Sequence, residues 1–175
     1  MPIRSVSRYG GLCRPPLALI TALALAASPA IAKTLITKTS FSGNQTFEAS
    51  AGPHLINLGE GNGAALTVNT AVPSRLVILF NAECSVAAPT NSDWLHVEIL
   101  VDGVAAPPSG GDQALCTSDG DSALDNWVTA ASDTAVDVGA GTHTVQLRGS
   151  LVGSGVAGDD WWIGDLSLIV IMKEL

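Results

Sequence analysis

The ten residues from Trp94 to Gly103, Trp-Leu-His-Val-Glu-Ile-Leu-Val-Asp-Gly, constrain the fold more than any other stretch of the chain. Leu95, Val97, Ile99 and Val101 recur at a spacing of two, and Trp94, His96, Glu98 and Leu100 fill the alternate positions. Successive side chains of a strand point to opposite faces, so this period describes a half-buried β-strand. Asp102-Gly103 then supplies the residue pair that a two-residue hairpin turn demands. Most of the chain beyond residue 33 repeats this design with variations.

The first 32 residues read differently. Arg4, Arg8 and Arg14 make a positive start, Leu17 to Ala27 is an apolar run broken only by Thr21, and Ala30-Ile31-Ala32 has the small-x-small pattern of a cleavage site. The run is short for a bilayer span. The expectation is a signal peptide, residues 1–32, followed by one domain over residues 33–175 and a secreted or periplasmic destination. The domain's length suits a single core.

The whole chain carries 8 Lys+Arg against 16 Asp+Glu, a net charge of −8. Three of the eight basic residues fall in the leader, so the remainder has five against sixteen, or −11. Such a surface repels phosphate backbones and anionic lipid, which argues against nucleic-acid binding and against membrane binding after signal cleavage. Cys84 and Cys116 remain in the exported part. An even pair in an oxidising compartment reads as a disulfide closing a loop of about thirty residues, worth about 3–4 kcal/mol in the chain-entropy model.

Taken in order, residues 33–47 read as a strand, a turn at Ser42-Gly43-Asn44 and a short second strand. Gly59 to Gly63 reads as a wide hairpin. It has the glycines of a phosphate loop but leads into the β-pattern of Thr67, Val68 and Thr70 where such a loop must open a helix. Leu76 to Phe80 is an unbroken apolar run, expected to be covered on both faces and to neighbour the Trp94 strand in one sheet. Val104 to Ser118 reads as a Pro- and Gly-rich loop. Trp127 to Thr129 and Thr134 to Val138 read as separate strands. Trp161 to Ile171 closes the domain with poor alternation, as a central strand or one facing a partner subunit. The count is nine to ten strands. With turns about every ten residues, the fold class expected is all-β, an antiparallel β-sandwich of jelly-roll type.

One segment carries a resemblance. Val136-Asp137-Val138-Gly139-Ala140-Gly141-Thr142-His143-Thr144-Val145-Gln146-Leu147, followed by Trp161-Trp162-Ile163-Gly164-Asp165-Leu166, resembles the penultimate hairpin and closing strand of secreted carbohydrate-binding modules. The layout is also similar to TNF/C1q-like jelly rolls. The first resemblance implies glycan recognition through loops; the second implies a self-assembling homotrimer.

Candidate ligand residues follow from chemistry. Aromatic faces stack on the apolar face of a sugar ring, which singles out Trp127 and Trp161. Trp161 and Trp162 are adjacent, so one is expected in the core and the other outside. Asp119, Asp121 and Asp125 form an acidic run next to Trp127. That run could gather oxygens around Ca²⁺, yet it lacks the full calcium-loop pattern and its distal Glu, so it reads as a solvated turn and no cofactor or metal site is assigned. His54, His96 and His143 lack metal-ligand spacing. No Gly-x-Ser-x-Gly elbow occurs, and paired carboxylates drawn from Asp119, Asp121 and Glu98 have no fixed separation. The expectation is a non-catalytic binding domain with a glycan as partner, or alternatively the trimeric module.

Overall fold

The computed structural model describes residues 34–49, 52–59, 61–108, 113–153 and 159–175. The expected signal peptide lies outside these residues. No helix among them is long and apolar enough to cross a membrane. The strands are β1 (Thr34–Glu48), β2 (His54–Leu55), β3 (Leu66–Thr70), β4 (Ser74–Ala87), β5 (Trp94–Val101), β6 (Val104–Ala105), β7 (Ala114–Thr117), β8 (Val128–Val138), β9 (Gly141–Val152) and β10 (Asp160–Glu174).

They form two antiparallel sheets. The first has the order β1-β10-β4-β8. The second has the order β2-β9-β5-β6, with β3 continuing the course of β2 along β9 and β7 sharing with β6 the far side of β5. If β2 and β3 count as one interrupted strand and β6 and β7 as another, eight strands remain. Their orders become 1-8-3-6 and 2-7-4-5, the connectivity of a jelly roll. Counted as these eight strands, the chain crosses between sheets at every connection except the β5–β6 hairpin.

That hairpin follows the sequence closely. Leu100 pairs with Ala105 and Val101 with Val104. Asp102 and Gly103 between them have φ of 53° and 78°, the two positive values that a type I′ turn needs. Leu95, Val97, Ile99 and Val101 all point into the core.

The two sheets sandwich one hydrophobic core. β4 contributes Leu76, Ile78, Phe80, Ala82, Cys84 and Val86; β10 contributes Trp161, Ile163, Leu166, Leu168, Val170 and Met172. Trp161 is fully buried, stacked on Phe47 with ring centroids 4.2 Å apart. It also reaches across the core to Gly149, where a Cβ would lie 2.4 Å from the indole Cη2. Cys84 and Cys116 are disulfide-bonded, with Cα atoms 6.3 Å apart, and the bond ties β4 of the first sheet to β7 of the second. A bond of this kind belongs to an oxidising, extracellular-type environment.

Several expectations require correction. Residues 34–48 are one strand: Ser42-Gly43 form a bulge between Phe41 and Asn44, and no turn occurs there. Gly59 to Gly63 is no hairpin, because β2 and β3 both pair with β9; the segment is an excursion closed by the Leu58 N–H donating to Gly63 O. Over residues 76–80 β4 is covered on one face only. Its burial alternates, and Leu79 is 39% exposed. β4 and β5 lie in opposite sheets. Val128–Val138 is a single strand, the residues from 104 to 118 contain the short strands β6 and β7, and the Gly139-Gly141 turn joins the two sheets without making a hairpin.

The closing strand β10 is central, between β1 and β4. Its alternation reads poorly because a bulge at Gly164-Asp165 reverses the parity. Trp161 and Ile163 point inward before it, Leu166, Leu168 and Val170 after it. One extra residue flips every later side chain to the other face.

Candidate functional site

The site lies where the first sheet meets the loop entering β8. In β10 the core takes Trp161, so its neighbour Trp162 faces outward and stays half-buried. Trp162 is in register with Ser85 of β4. Val128 pairs with Cys84, so Trp127, one residue earlier, continues the row beyond Ser85. The two indoles meet over it, with centroids 5.3 Å apart and planes at 51°. This explains a buried serine on an outward face. Ser85 has no exposed surface, and among the described residues neither its Oγ nor Trp162 Nε1 has a hydrogen-bond partner.

Trp127 closes a short acidic loop. Asp119, Asp121 and Asp125 are exposed, and one carboxylate oxygen of each lies within 4.8 Å of the others. The loop is built from aspartate turns: the Asp121 N–H donates to Asp119 Oδ1 at 3.3 Å and the Ala123 N–H to Asp121 Oδ1 at 2.6 Å. A calcium ion takes six to eight oxygens, so this trio could furnish part of a shell. Its side chains already shape the loop without one. Asp159, just before β10, is buried.

The structure brings the sequence-predicted Asp119, Asp121 and Asp125 together in one exposed loop, and Trp127 follows Asp125 by two residues. Sequence reasoning chose the wrong member of the tryptophan pair: Trp161 is core and offers no surface to a ligand, while Trp162 does. The signal that could have found this is the parity of β10 with Ile163, one residue pair away from Trp161 and unambiguously apolar.

The remaining candidates lie elsewhere. Glu98, on the outward face of β5, receives the Arg148 guanidinium, with Nε donating to Oε2 at 2.7 Å. His96 Nε2 sits 3.8 Å from the other oxygen of Glu98. Glu98 is therefore an ion-pair residue of the second sheet and stands apart from the acidic loop. His143 joins two turns: Nδ1 donates to Asp102 Oδ2 at 2.7 Å and Nε2 donates to Gly139 O at 3.1 Å. The hydrogen bond to Asp102 holds the imidazole pKa above its ordinary value and, reciprocally, holds the Asp102 carboxyl below the usual carboxylate range, with help from the Thr144 N–H. Beside this pair a cavity of about 420 Å³ opens between the sheets, lined by apolar residues including Val101, Val104, Val136 and Val138.

No family model matches the chain, and no curated protein does. Solved structures are similar in fold. A capsid structure of infectious bursal disease virus, Gx strain, aligns over 81% of this chain and 32% of its own, at 11% identity and a TM-score of 0.45. The sugar-binding EclA C-terminal domain aligns over 73% and 79%, at 12% identity and a TM-score of 0.35. A family 35 carbohydrate-binding module from Clostridium thermocellum aligns over 75% and 97%, at 13% identity and a TM-score of 0.32. This chain spans about a third of the viral chain's length. These are distant likenesses between β-sandwiches, and they speak to fold alone.

Proposed function

We propose that this is an exported, non-catalytic domain that recognises a carbohydrate at the Trp127–Trp162 pair. The observation that carries the reading is the pairing itself: two half-buried indoles on one outward row, beside a loop of three exposed carboxylates. Indole faces stack on the C–H face of a pyranose, and carboxylates accept hydrogen bonds from its hydroxyls. Site residues are Trp127, Trp162, Asp119, Asp121 and Asp125; the destination is the periplasm or the cell exterior.

Binding of purified protein to a panel of immobilised polysaccharides tests this directly. Retention on at least one, lost in Trp127→Ala with unchanged circular dichroism, supports it. Retention equal in the variant overturns it. Release of chromophore from aryl glycosides would overturn the non-catalytic part.

A second reading, self-assembly into a homotrimer, is supported by the outward face of the first sheet. Ile36 is 63% exposed and Leu79 39% exposed, and Val77, Ile169 and Ile171 between them are half-buried. The register places Ile36 beside Ile171 and Ile171 beside Val77. Contiguous apolar patches of this kind often mark association surfaces. Light scattering after gel filtration separates a trimer from a monomer.

A further inference from the structure

A second concavity lies at the open edge of the sandwich, between β1 and the excursion that precedes β3. It is a groove of about 660 Å³ lined by Ser40, Phe41, Ser42, Asn57, Gly59, Gly61 and Gly63. Its size falls within the range of small-molecule sites.

The groove is built by two backbone irregularities. The β1 bulge displaces Ser42 and Gly43 from the ladder, and the exposed Asp165 carboxylate accepts the Gly43 N–H at 3.1 Å. On the other wall Gly59 presses its bare α-carbon onto β1, where a Cβ would stand 2.7 Å from Ser40 O. Only glycine fits there, and its φ of 74° suits no other residue well. The walls are clamped together. Gln45 donates through Nε2 to Asn57 O at 2.9 Å and accepts the Asn57 N–H at 2.8 Å. Asn62 Nδ2 donates to Thr39 Oγ1 at 2.9 Å. The concavity is therefore held open before any ligand arrives, which lowers the cost of binding.

Among the described lining residues none is charged, and the carboxylate beside them, Asp165, already accepts the Gly43 N–H. The groove offers one half-buried aromatic ring, Phe41, two hydroxyls, an amide, and the peptide groups of three glycines. Asn57 Oδ1 already accepts the Gly59 N–H at 2.9 Å, which leaves its amide N–H groups as donors. A ring face surrounded by short neutral donors and acceptors matches a pyranose: apolar on one side, hydroxylated around the rim. The acidic field disfavours anions.

We infer that this groove is a second carbohydrate subsite, for a neutral sugar unit of an oligosaccharide whose other end lies on the Trp127–Trp162 pair. The inference rests on the glycan reading above. Both places adjoin β1, the groove beside residues 40–42 and the indoles across from Thr46 on the outward face. Thr46 of β1 is in register with Trp162, and Ser42 is four residues earlier, about 13 Å along an extended chain. A short oligosaccharide spans that distance.

The test is amide and indole NMR of the labelled protein, titrated with cellotetraose, xylotetraose and mannotetraose and with the matching monosaccharides. With at least one tetrasaccharide, both indole N–H signals and the amides of Phe41, Gly43, Gly61 and Gly63 should shift together. Ser42→Leu, an exposed change that fills the mouth with nothing to stack or hydrogen-bond, should weaken tetrasaccharide binding about tenfold. It should leave the indole shifts in place, and Ser42→Thr should bind as the parent does. Indole shifts without groove shifts, or Ser42→Leu binding like the parent, would overturn the second subsite while sparing the platform. Groove shifts that persist in Trp162→Ala with silent indoles would overturn the link to the platform. Silence everywhere would overturn both.

Discussion

His143 has an acceptor at each ring nitrogen, Asp102 Oδ2 and Gly139 O. Both nitrogens must donate, which describes the protonated ring. Its folded pKa is raised above the ordinary 6.5, so the stability it contributes is complete below about pH 6.5 and is lost as pH rises through the folded value. For Asp102, lowered from 3.8, the sign is opposite: the contribution is present above about pH 3.8 and is lost as pH falls through the folded value. The pair is at full strength between those limits. Asp102→Asn keeps a residue tolerant of the turn's positive φ and removes the charge. Melting temperature measured from pH 6 to 9 should therefore fall less steeply in the variant than in the parent; parallel curves would contradict the assignment. Two further residues give opposite expectations. Ser85→Ala removes a buried hydroxyl without a partner, so it should be neutral or stabilising by about 1 kcal/mol in chemical denaturation. Gly149→Ala drives a methyl group into the Trp161 ring and should cost about 1–3 kcal/mol.

At the scale of elements, the bulges in β1 and β10 decide which side chains face where. They face each other: Ser42-Gly43 of one lies against Asp165 of the other. Asp165 has φ of 41°, a conformation that Asn shares and β-branched residues avoid. Asp165→Val should lower stability by about 1–3 kcal/mol through backbone strain, whereas Asp165→Asn should fold with nearly parental stability. The bulges also explain what could be read beforehand. The Trp94–Gly103 strand and its turn were legible because alternation and Asp-Gly are local signals. The strand over residues 161–171 was legible as a strand, but which of its side chains face the core was not, since a bulge breaks the period and Ile169 and Ile171 are apolar on the outward face. Val77 and Leu79 misled in another way. Apolar side chains on an outward face look like a buried strand, because periodicity reports side-chain character and not what covers it. The outward facing of Trp162 was missed because the bulge hides the parity of β10, while the clustering of Asp119, Asp121 and Asp125 was legible because turn residues announce themselves. Whether neighbouring strands share a sheet depends on non-local pairing, which put β4 and β5 on opposite layers.

For the molecule as a whole, the sandwich is tied across its layers by Cys84–Cys116, which spans 32 residues in sequence. Removing the bond by Cys84→Ala with Cys116→Ala should lower unfolding free energy by about 3–4 kcal/mol if the chain-entropy account holds. A change near zero would mean that the core alone fixes the two sheets. The jelly roll itself was legible from strand number, turn spacing and the lack of amphipathic helices. Its purpose is not a property of the fold, since one fold hosts many unrelated functions. The proposed function rests on the loop end of the first sheet, and there one measurement bears on it most directly: isothermal titration of the protein with soluble oligosaccharides chosen from whichever polysaccharides retain it, repeated with Trp162→Ala. The account predicts saturable binding in the parent and at least a tenfold loss in the variant, about 1.4 kcal/mol or more. Binding unchanged by the loss of Trp162, or no binding to any glycan tried, would contradict it.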